Sequence, residues 1–415
     1  MKEVFPIKLL HVGLHFGGQT IEVGRLALQD RRIYFSYEPS FLERRLELSP
    51  FTLPLKAGVT TFDQSLFEGL PGLFNDSLPD GWGRLLIDRF FRSEGLNPLE
   101  LSPLDRLAMV GTRGLGALVY EPQFDTSQRG DYVDLDGVAT QVQAVLAGAA
   151  SDVLGELLVL NGSSSGARPK ALIGVSQDKN RIITWDDSLD NEYEPWLVKF
   201  PNTVDGVDAG SIEYVYALMA MNAGIQMPPV HLFPAKGSTG FFAVKRFDRI
   251  VSSRMHMHTV SGLLNADHRF PSLDYQDLLN LTSMLSRDIR EVEKMYRLAV
   301  FNVLAYNRDD HAKNFSFLMD HNGRWTLSPA YDLTFSSGPG GEQSTMVMGE
   351  GKSPTEEHLV RLGLDAKLSK SQIAKIIEQT HAALSSWPNL AREYGVSSAK
   401  ISFIEKVICQ SNRRR

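Results

Sequence analysis

The sequence predicts an α+β protein in which a small β-rich unit precedes a longer part that begins with β-strands and ends mainly in helices. Residues 1 to about 60 alternate apolar and polar positions in short runs, as in 32–37, which is typical of antiparallel strands. From about residue 272 the apolar residues recur at spacings of three and four, as in 292–304, which is typical of helices. With 415 residues the chain is longer than one hydrophobic core usually supports, so we expect two or three domains.

Composition is that of an ordinary globular protein and excludes several kinds of site. Hydrophobic residues make up 43% of the chain and charged residues 22%. The net charge of −6 gives no overall attraction to nucleic acid, so contact with DNA would have to come through a local patch or a partner. A single cysteine, Cys409, excludes an intrachain disulfide framework and a cysteine-rich metal site.

The sequence contains no recognisable targeting or membrane segment. The first residues lack the uninterrupted apolar stretch of a signal peptide. No run approaches the roughly 18 to 20 apolar residues that a membrane span needs. Together with the single cysteine, these features predict a cytoplasmic protein that has no membrane partner.

Changes in composition and periodicity predict where one domain ends and the next begins. Segments 81–91 and 103–110 have apolar residues at helical spacing, so helices complete the β-rich N-terminal subdomain. Residues 122–135 are rich in Asp, Ser, Gly and Thr, which is typical of a linker. We therefore expect an N-terminal subdomain at 1–125, a β-containing unit at 126–250 and a mainly helical unit at 251–415.

Two glycine-rich stretches are candidate phosphate-binding loops. In 111–116 the glycine order and the preceding helical pattern do not fit a dinucleotide-binding loop, so we interpret it as a turn into a strand. In 161–170, glycines and serines would let backbone N–H groups approach a phosphate closely, and Arg168 and Lys170 supply positive charge. This second stretch is not a Walker A motif, and a flexible surface loop is the alternative.

A lysine interrupts the apolar strand predicted at 196–200. Protein kinases hold the α- and β-phosphates of ATP with a lysine on a strand of a small sheet, and Lys199 occupies such a position. Glu213, in the first turn of a helix predicted at 211–224, could pair with this lysine as a helix glutamate does in kinases. The alternatives are an edge-strand lysine that prevents aggregation and a first-turn acid favoured by the helix dipole.

The most informative stretch begins with Asn-Arg-Asp-Asp-His-Ala-Lys-Asn at 307–314. Asp309 precedes Asn314 by five positions, and Asp332 follows eighteen residues after Asn314. Protein kinases place a base aspartate and a metal-binding asparagine at this spacing, with a second metal-binding aspartate further on. An Asn-Gly turn between two apolar runs predicts a hairpin that returns Asp332 to the side of Asn314. The alternative is that Asp, Asn and Gly gather here for turn chemistry alone.

The order of these groups along the chain is a stronger signal than any single group. A glycine-rich loop, a strand lysine, a base aspartate, a metal-binding asparagine and a metal-binding aspartate follow one another as in protein kinases. Segment 240–248 falls where a kinase has its adenine-binding hinge, and 338–341 falls where it has its activation segment. We therefore expect a protein-kinase-like core with a β-containing N-lobe and a mainly helical C-terminal lobe that uses ATP and Mg²⁺.

The chain resembles the HipA family, the kinase toxins of bacterial type II toxin–antitoxin systems. Segment 73–83, Leu-Phe-Asn-Asp-Ser-Leu-Pro-Asp-Gly-Trp-Gly, is similar to the N-terminal subdomain of that family. Segment 163–170, Ser-Ser-Ser-Gly-Ala-Arg-Pro-Lys, is similar to its glycine-rich loop. Segment 309–316, Asp-Asp-His-Ala-Lys-Asn-Phe-Ser, together with Tyr331 and Asp332, is similar to its catalytic core.

The resemblance implies roles for individual residues. Asp309 would be the catalytic base, Asn314 and Asp332 the Mg²⁺ ligands, and Lys199 the lysine that holds the ATP phosphates. The serine that the family autophosphorylates would be Ser163, and because three serines are consecutive, Ser165 or Ser164 could be modified instead. We assign further contacts with ATP to Gly166, Ala167, Lys170, Lys245, Phe247, His311 and Lys313.

One position departs from the family pattern. The hinge position that commonly has Glu in the family has Lys245 here. Contacts of the backbone with adenine would survive this change, whereas a contact through the glutamate side chain would not.

The resemblance also implies partners and a biological role. It implies a serine/threonine protein kinase, a toxin that autophosphorylation of its own loop inactivates and that blocks translation by phosphorylating a target such as an aminoacyl-tRNA synthetase. It further implies a helix-turn-helix antitoxin of the HipB type, with DNA contacted only through that partner. The alternatives from other classes are a small-molecule kinase of related fold and a non-catalytic regulatory binding module.

Overall fold

The predicted α+β class is confirmed. An antiparallel β-unit comes first, a second antiparallel sheet forms the middle of the chain, and helices dominate the end. The structure is a computed structural model, and it describes residues 5–124, 131–148, 154–161, 166, 168–186, 192–202, 204–250 and 253–412.

The N-terminal unit is built on a five-stranded antiparallel sheet. Its third strand alternates buried with more exposed side chains, whereas the fifth strand and the middle of the first are buried on both faces. The order across the sheet is β4-β3-β2-β1-β5, and the last strand returns from beyond the helices of the unit to pair with the first. The strands are β1 Leu9–Phe16, β2 Gln19–Gln29, β3 Arg32–Tyr37, β4 Val59–Thr61 and β5 Leu118–Glu121.

Four α-helices complete this unit. The first lies between β3 and β4 in the chain, and the other three lie between β4 and β5. The last of them begins at a capping box, in which Ser102 and Asp105 satisfy each other's backbone N–H groups. The helices are α1 Pro39–Leu42, α2 Gly72–Asn75, α3 Gly81–Ser93 and α4 Pro103–Val110.

The middle of the chain forms a second five-stranded antiparallel sheet with the order β7-β6-β8-β10-β9. The apolar run that precedes the glycine-rich loop is helical. A later helix packs against the sheet and places Glu213 in its buried first turns. The elements are α5 Leu135–Leu146, α6 Leu154–Asn161, β6 Lys170–Ser176, β7 Ile182–Thr184, β8 Tyr193–Lys199, α7 Ala209–Asn222, β9 Val230–Phe233 and β10 Phe241–Lys245.

The rest of the chain is mainly helical and contains three small sheets. The hairpin predicted around the Asn-Gly turn is present: its two strands pair antiparallel and are joined through Gly323 at φ +79°. The strands are β11 Arg249–Ile250, β12 Ser253–Arg254, β13 His256–Thr259, β14 Leu273–Asp274, β15 Ser316–Met319, β16 Trp325–Leu327 and β17 Thr345–Met346. The helices are α8 Val260–Leu264, α9 Tyr275–Ser286, α10 Ile289–Leu304, α11 Glu356–Asp365, α12 Lys370–Leu384, α13 Trp387–Glu393 and α14 Ser398–Asn412.

None of the helices in the described ranges combines the length and the apolar character that crossing a membrane requires.

Two hydrophobic clusters hold these elements together. The larger one runs without a break from the N-terminal sheet through α7 to the helices of the C-terminal lobe. The smaller one joins α3, α5 and α6 to the inner face of the middle sheet. Helix α3 is therefore part of the N-terminal segment in sequence but packs with the middle sheet, which brings its N-terminus close to the glycine-rich loop.

The N-terminal unit is fastened to the C-terminal lobe by close backbone contact and buried hydrogen bonds. A side chain at Gly72 would collide with the carbonyl group of Gly262, so α2 and α8 approach as closely as backbones can. Asp76 accepts hydrogen bonds from Thr259 through both the backbone N–H and the hydroxyl group, each at 2.7 Å. The same carboxylate lies 2.6 Å from Nδ1 of the buried His258.

A buried ion cluster makes a second connection, between the middle sheet and the turn at residues 114–116. The Asp248 carboxylate lies 2.6 Å from Nη2 of Arg246 and 2.7 Å from Nη1 of Arg249, and it accepts the backbone N–H of Gly116 at 2.7 Å. Both guanidinium groups also donate to the carbonyl oxygen of Gly114. Burial alone would raise the pKa of Asp248, but the two guanidinium groups hold it well below its usual range.

We predict that Asp248→Ala destabilises the protein by about 3 to 5 kcal/mol, because it leaves two buried guanidinium groups without their carboxylate. Urea unfolding followed by tryptophan fluorescence measures this change. The matched control is Asp267→Ala, which removes a carboxylate paired with the exposed Arg269 and should cost less than about 1 kcal/mol. Equal losses for the two variants would contradict the assignment.

Candidate active site

A cleft of about 540 Å³ lies between the middle sheet and the C-terminal lobe. A volume of this size accommodates a small molecule of nucleotide dimensions. One part of the wall is apolar and the other is charged, which suits a ligand with an aromatic base and a phosphate chain. The apolar lining includes Leu172, Leu197, Met227, Val244 and Leu333, and the charged lining includes Arg168, Lys170, Lys199, Asp309 and Asp332.

Lys199 lies at the centre of the charged wall. It ends β8 and is buried, and its Nζ donates to the Glu213 carboxylate on α7 and, at 2.5 Å, to the Asp332 carboxylate. Burial alone would lower the pKa of Lys199, but Asp332 and Glu213 hold it above its usual value. Of the two interpretations of Glu213, the structure shows the ion pair.

Two further cations surround this centre. Lys170 lies directly opposite Lys199 in the pairing of β6 with β8. Burial and the charge of Lys199 lower the pKa of Lys170 to about 8. Arg168 lies between Asp205, at 3.3 Å, and Glu213, at 3.5 Å. A ligand that enters here meets three basic groups, which is the arrangement that phosphate groups require.

Asp332 is held in an unusual backbone conformation. Its φ of +56° is in the left-handed region, which a non-glycine residue adopts at a cost of about 1 to 3 kcal/mol and mostly at functional sites. Burial would raise the pKa of this carboxyl group, but Lys199, Lys170 and Arg168 hold it well below its usual range. Asp332 is therefore ionised at neutral pH and able to bind a cation.

Asp309 and Asn314 belong to one short loop that ends in a 3₁₀ turn. The side-chain amide of Asn314 donates to the backbone oxygen of Asp309 at 2.7 Å, which fixes the loop between them. The Asp309 carboxylate is exposed toward the cleft. Partial desolvation and the neighbouring Asp332 raise its pKa, and His311 opposes this change. A carboxylate with a raised pKa is a better proton acceptor than an unperturbed one.

The residues present fit a magnesium ion whose other ligands would be phosphate oxygens and water. Asp332 supplies a carboxylate and Asn314 an amide oxygen, because the Asn314 nitrogen is already used as a donor. Among the residues that the structure describes, no group of three or more His, Cys, Asp or Glu side chains could hold a metal. Mg²⁺ typically binds through one or two protein side chains together with phosphate oxygens and water, so this donor set suits it.

The structure brings most of the predicted site residues together. Asp309, Asn314, Asp332, Gly166, Lys170, Lys199, Lys245, Phe247, His311 and Lys313 all line the cleft. The predicted phosphorylation sites Ser163, Ser164 and Ser165, and the predicted ATP contact Ala167, lie outside the described residues.

The predicted hinge lies at the apolar end of the cleft. Lys245 at the end of β10 is half-buried, and its Nζ lies 2.6 Å from the Glu194 carboxylate on β8. The ring of Phe247 lies 5.7 Å from that of Tyr331. Since Lys245 already has an anionic partner, its side chain is not a free cation at this wall.

No role was predicted from the sequence for two acidic residues in or beside the site, Asp80 and Asp310. Asp80 lines the cleft from the N-terminal unit, 229 residues before Asp309 in the chain, so no local pattern connects it to the cleft. Asp310 follows Asp309 directly but points away from the cleft into the interior. The spacing to Asn314 predicted a role for Asp309 alone, and only the three-dimensional contacts show what Asp310 does.

Asp310 binds the segment at 343–345 to the loop at 307–314, which we call the catalytic loop after its predicted role. Its carboxylate accepts hydrogen bonds from the Tyr275 hydroxyl at 2.7 Å, the Gln343 side-chain amide at 3.0 Å and the backbone N–H of Ser344 at 2.8 Å. The Thr345 hydroxyl donates to the backbone oxygen of Asp310 at 2.5 Å. Complete burial outweighs these donors and raises the pKa of Asp310 to about 7.

Arg308 holds the same segment from the other side. Its guanidinium donates to the carbonyl oxygens of Gly341 and Lys352 and lies 4.0 Å from the centre of the Tyr306 ring. Arg308 therefore ties the stretch at 338–341, where we predicted a kinase activation segment, to the catalytic loop. This contact requires no phosphorylated side chain.

Comparisons with known proteins agree with this geometry. The model of the HipA-like C-terminal domain matches residues 162–387, and the model of the HipA N-terminal domain matches residues 18–121. The chain belongs to the HipA family. The predicted family membership is thus confirmed.

Individual relatives extend this result. The chain is 26% identical to the putative kinase Y4dM of Sinorhizobium fredii (strain NBRC 101917 / NGR234) over 195 residues, which cover 44% of this chain and 45% of the relative. It is 25% identical to the putative kinase Y4mE of the same strain over 260 residues, which cover 58% and 60%. The chain thus spans about half the length of the curated relatives it matches.

A solved structure matches almost the whole chain. It is the complex of HipA with HipB and its operator DNA from the toxin–antitoxin system of Shewanella oneidensis MR-1, with a TM-score of 0.68 at 16% identity. The match covers 97% of this chain and 96% of that chain. At this identity the likeness shows that the two chains share a fold.

We predict that the stability contributed by Asp310 falls as the pH rises from about 4 to 7. The unfolded chain loses this proton near the ordinary value of 3.8, whereas the folded chain keeps it to about pH 7, so the folded state binds the extra proton in this window. Between pH 5 and 8 the wild type should lose stability relative to Asp310→Asn by on the order of 3 kcal/mol. Urea unfolding at several pH values measures the difference.

Asparagine mimics the protonated carboxyl group, and a flip of the Gln343 amide accommodates its nitrogen. The matched control is Asp365→Asn, an exposed acid that accepts from Gln276 and should leave the pH dependence of the wild type unchanged. Parallel stability curves for the wild type and Asp310→Asn would refute the prediction.

Proposed function

We propose that this HipA-family protein is a Mg-ATP-dependent serine/threonine protein kinase that acts as the toxin of a toxin–antitoxin pair. The observation that carries the proposal is the buried Lys199, joined to Glu213 on one side and Asp332 on the other, and facing Asp309 and Asn314 across the cleft. Phosphoryl transfer from ATP requires this set, because the protein must orient the nucleophile and hold the phosphates. The putative kinases among its relatives support the same activity.

Each residue then has a distinct role in the transfer. Asp309 accepts the proton of the attacking hydroxyl group, and its raised pKa suits that role. Lys199 and Lys170 neutralise the phosphates, and the Glu213 ion pair keeps Lys199 in place. Asp332 and Asn314 would hold Mg²⁺, which spreads the negative charge that develops on the transferred group.

The apolar end of the cleft would take the adenine base. Leu172, Leu197 and Val244 belong to the middle sheet, and Leu333 follows Asp332 on the opposite side. This apolar slot is continuous with the charged wall, so a base bound there would direct its phosphates toward Lys199. His311 and Lys313 on the catalytic loop line the phosphate end of the same cleft.

We infer further that the kinase modifies its own glycine-rich loop at Ser163, Ser164 or Ser165. Gly166 and Arg168 follow these serines in the chain and both line the cleft. The serines are therefore close in sequence to the part of the cleft that would bind the phosphates. A phosphate group there would add about two negative charges where the ATP phosphates bind. Like-charge repulsion would then displace the loop and switch the enzyme off.

We propose a helix-turn-helix antitoxin of the HipB type as the partner. The solved complex of the Shewanella protein contains HipB and operator DNA, and the present chain shares its fold over nearly its full length. The net charge of −6 is compatible with DNA contact through the antitoxin alone. An aminoacyl-tRNA synthetase is the proposed protein substrate, which would make the toxin an inhibitor of translation.

We predict that Asp309→Asn lowers the rate of phosphate transfer by about 10² to 10⁴, because it removes the proton acceptor. Binding of Mg-ATP should remain, since Lys199, Asn314 and Asp332 are unchanged. Incubation with Mg²⁺ and labelled ATP, followed by mass spectrometry, measures transfer to the protein itself. Asp288→Asn, at a helix-capping acid that does not line the cleft, is the matched control and should label like the wild type.

We predict that replacing Ser163, Ser164 and Ser165 together by alanine abolishes self-labelling and leaves binding of Mg-ATP intact. Ser385→Ala, at an exposed helix end, is the control and should label normally. Undiminished labelling of the triple variant would place the modified residue elsewhere and overturn the proposed switch. Binding of Mg-ATP without any self-labelling by the wild type would overturn autophosphorylation itself.

A further inference from the structure

Asp80 occupies a helix-capping position but does not cap its helix. It directly precedes α3 and has the extended backbone of an N-cap residue, with φ −119° and ψ 179°. An aspartate there normally accepts a hydrogen bond from the first turn of its own helix. The Asp80 side chain makes no such bond. Exceptions to local rules of this kind concentrate at functional sites, so the actual partners of this carboxylate are informative.

One oxygen of Asp80 holds the glycine-rich loop. It accepts the backbone N–H of Gly166, while the backbone N–H of Trp82 donates to the Gly166 carbonyl oxygen at 3.3 Å. Both backbone groups of Gly166 are thus bonded to the start of α3. Gly166 has φ +109°, and a side chain here would collide with the Nζ of Lys170. The loop is therefore held directly beside a cation of the phosphate end.

The other oxygen of Asp80 holds the catalytic loop. It accepts from the Nζ of Lys313 at 2.7 Å, and this lysine is buried next to Asn314. Burial alone would raise the pKa of Asp80, but Lys313, the Gly166 N–H and Lys170 hold it below its usual value. Asp80 is therefore ionised at neutral pH, and one carboxylate bridges the two loops that face each other across the cleft.

We propose that Asp80 is a positioning residue that keeps Gly166 and Lys313 in the arrangement that binds the nucleotide phosphates. It acts through these two residues, and it makes the N-terminal unit a required part of the nucleotide site. The inference rests on the proposed binding of Mg-ATP in this cleft. A purely structural role, in which Asp80 only stabilises the packing of α3, is the competing explanation.

The variant that separates the two roles is Asp80→Ser in the full-length chain. Serine suits a helix N-cap, so the variant should fold, but the buried Lys313 loses its carboxylate and the thermal unfolding temperature should fall. Serine cannot bridge two loops with one charged group, so the Kd for Mg²⁺ with a non-hydrolysable ATP analogue should rise on the order of tenfold. In the ligand-free chain, amide hydrogen exchange at Gly166 should become faster.

The matched control is Asp88→Asn on the same helix. Asp88 pairs with Arg106 at 2.8 Å and does not line the cleft. This change weakens the packing of α3, so it should lower the unfolding temperature while nucleotide affinity remains that of the wild type. Both variants should be less stable than the wild type, but only Asp80→Ser should bind the nucleotide analogue more weakly.

The proposal is overturned if Asp80→Ser binds the analogue as tightly as the wild type. It is also overturned if the variant binds more tightly, since the carboxylate would then hold the loops in a closed arrangement. If the wild type itself binds no nucleotide, the proposed kinase function fails instead. Amide exchange at Gly166 in the ligand-free chain would still decide whether Asp80 holds the loop.

Discussion

A buried lysine that needs anionic partners joins the two sides of the cleft. Lys199 has lost most of its water, and an isolated buried ammonium group would be strongly disfavoured. Glu213 and Asp332 supply the compensating charges, one from a helix behind the sheet and one from the C-terminal lobe. Since both bonds must form for the charge to be stable, the sheet, the helix and the lobe are held in one relative position.

Further charged residues extend this principle outward from the cleft. Asp80 joins the glycine-rich loop to Lys313. Asp310 binds the catalytic loop to the segment that contains Ser344, and Asp248 connects the middle sheet to the N-terminal unit. Each of these carboxylates is largely enclosed, and each accepts several hydrogen bonds. The N-terminal unit thus does more than cover the kinase-like core, because its residues complete the walls of the cleft and share its largest hydrophobic cluster.

Much of the site was predictable because its signals are local. The spacing of Asp309 and Asn314 and the Asn-Gly hairpin lie within a few turns of chain, and the hairpin has the predicted position. The ion pair of Lys199 with Glu213 remained one of two interpretations, since a first-turn glutamate also suits the helix dipole. The spacing to Asn314 singled out Asp309 as the candidate base, but the role of Asp310 was not predicted, because its partners depend on what packs around the loop.

The sequence by itself determined the fold class, the family and the order of the residues that we propose bind phosphate, because periodicity and motif spacing are properties of short segments. Only the tertiary structure decided which charges meet. Asp80 and Lys313 are 233 residues apart, and their 2.7 Å bond exists because α3 packs with α6 and the middle sheet as well as with its own unit. Electrostatic pairing depends on distance and burial, and both follow from the packing of the whole chain.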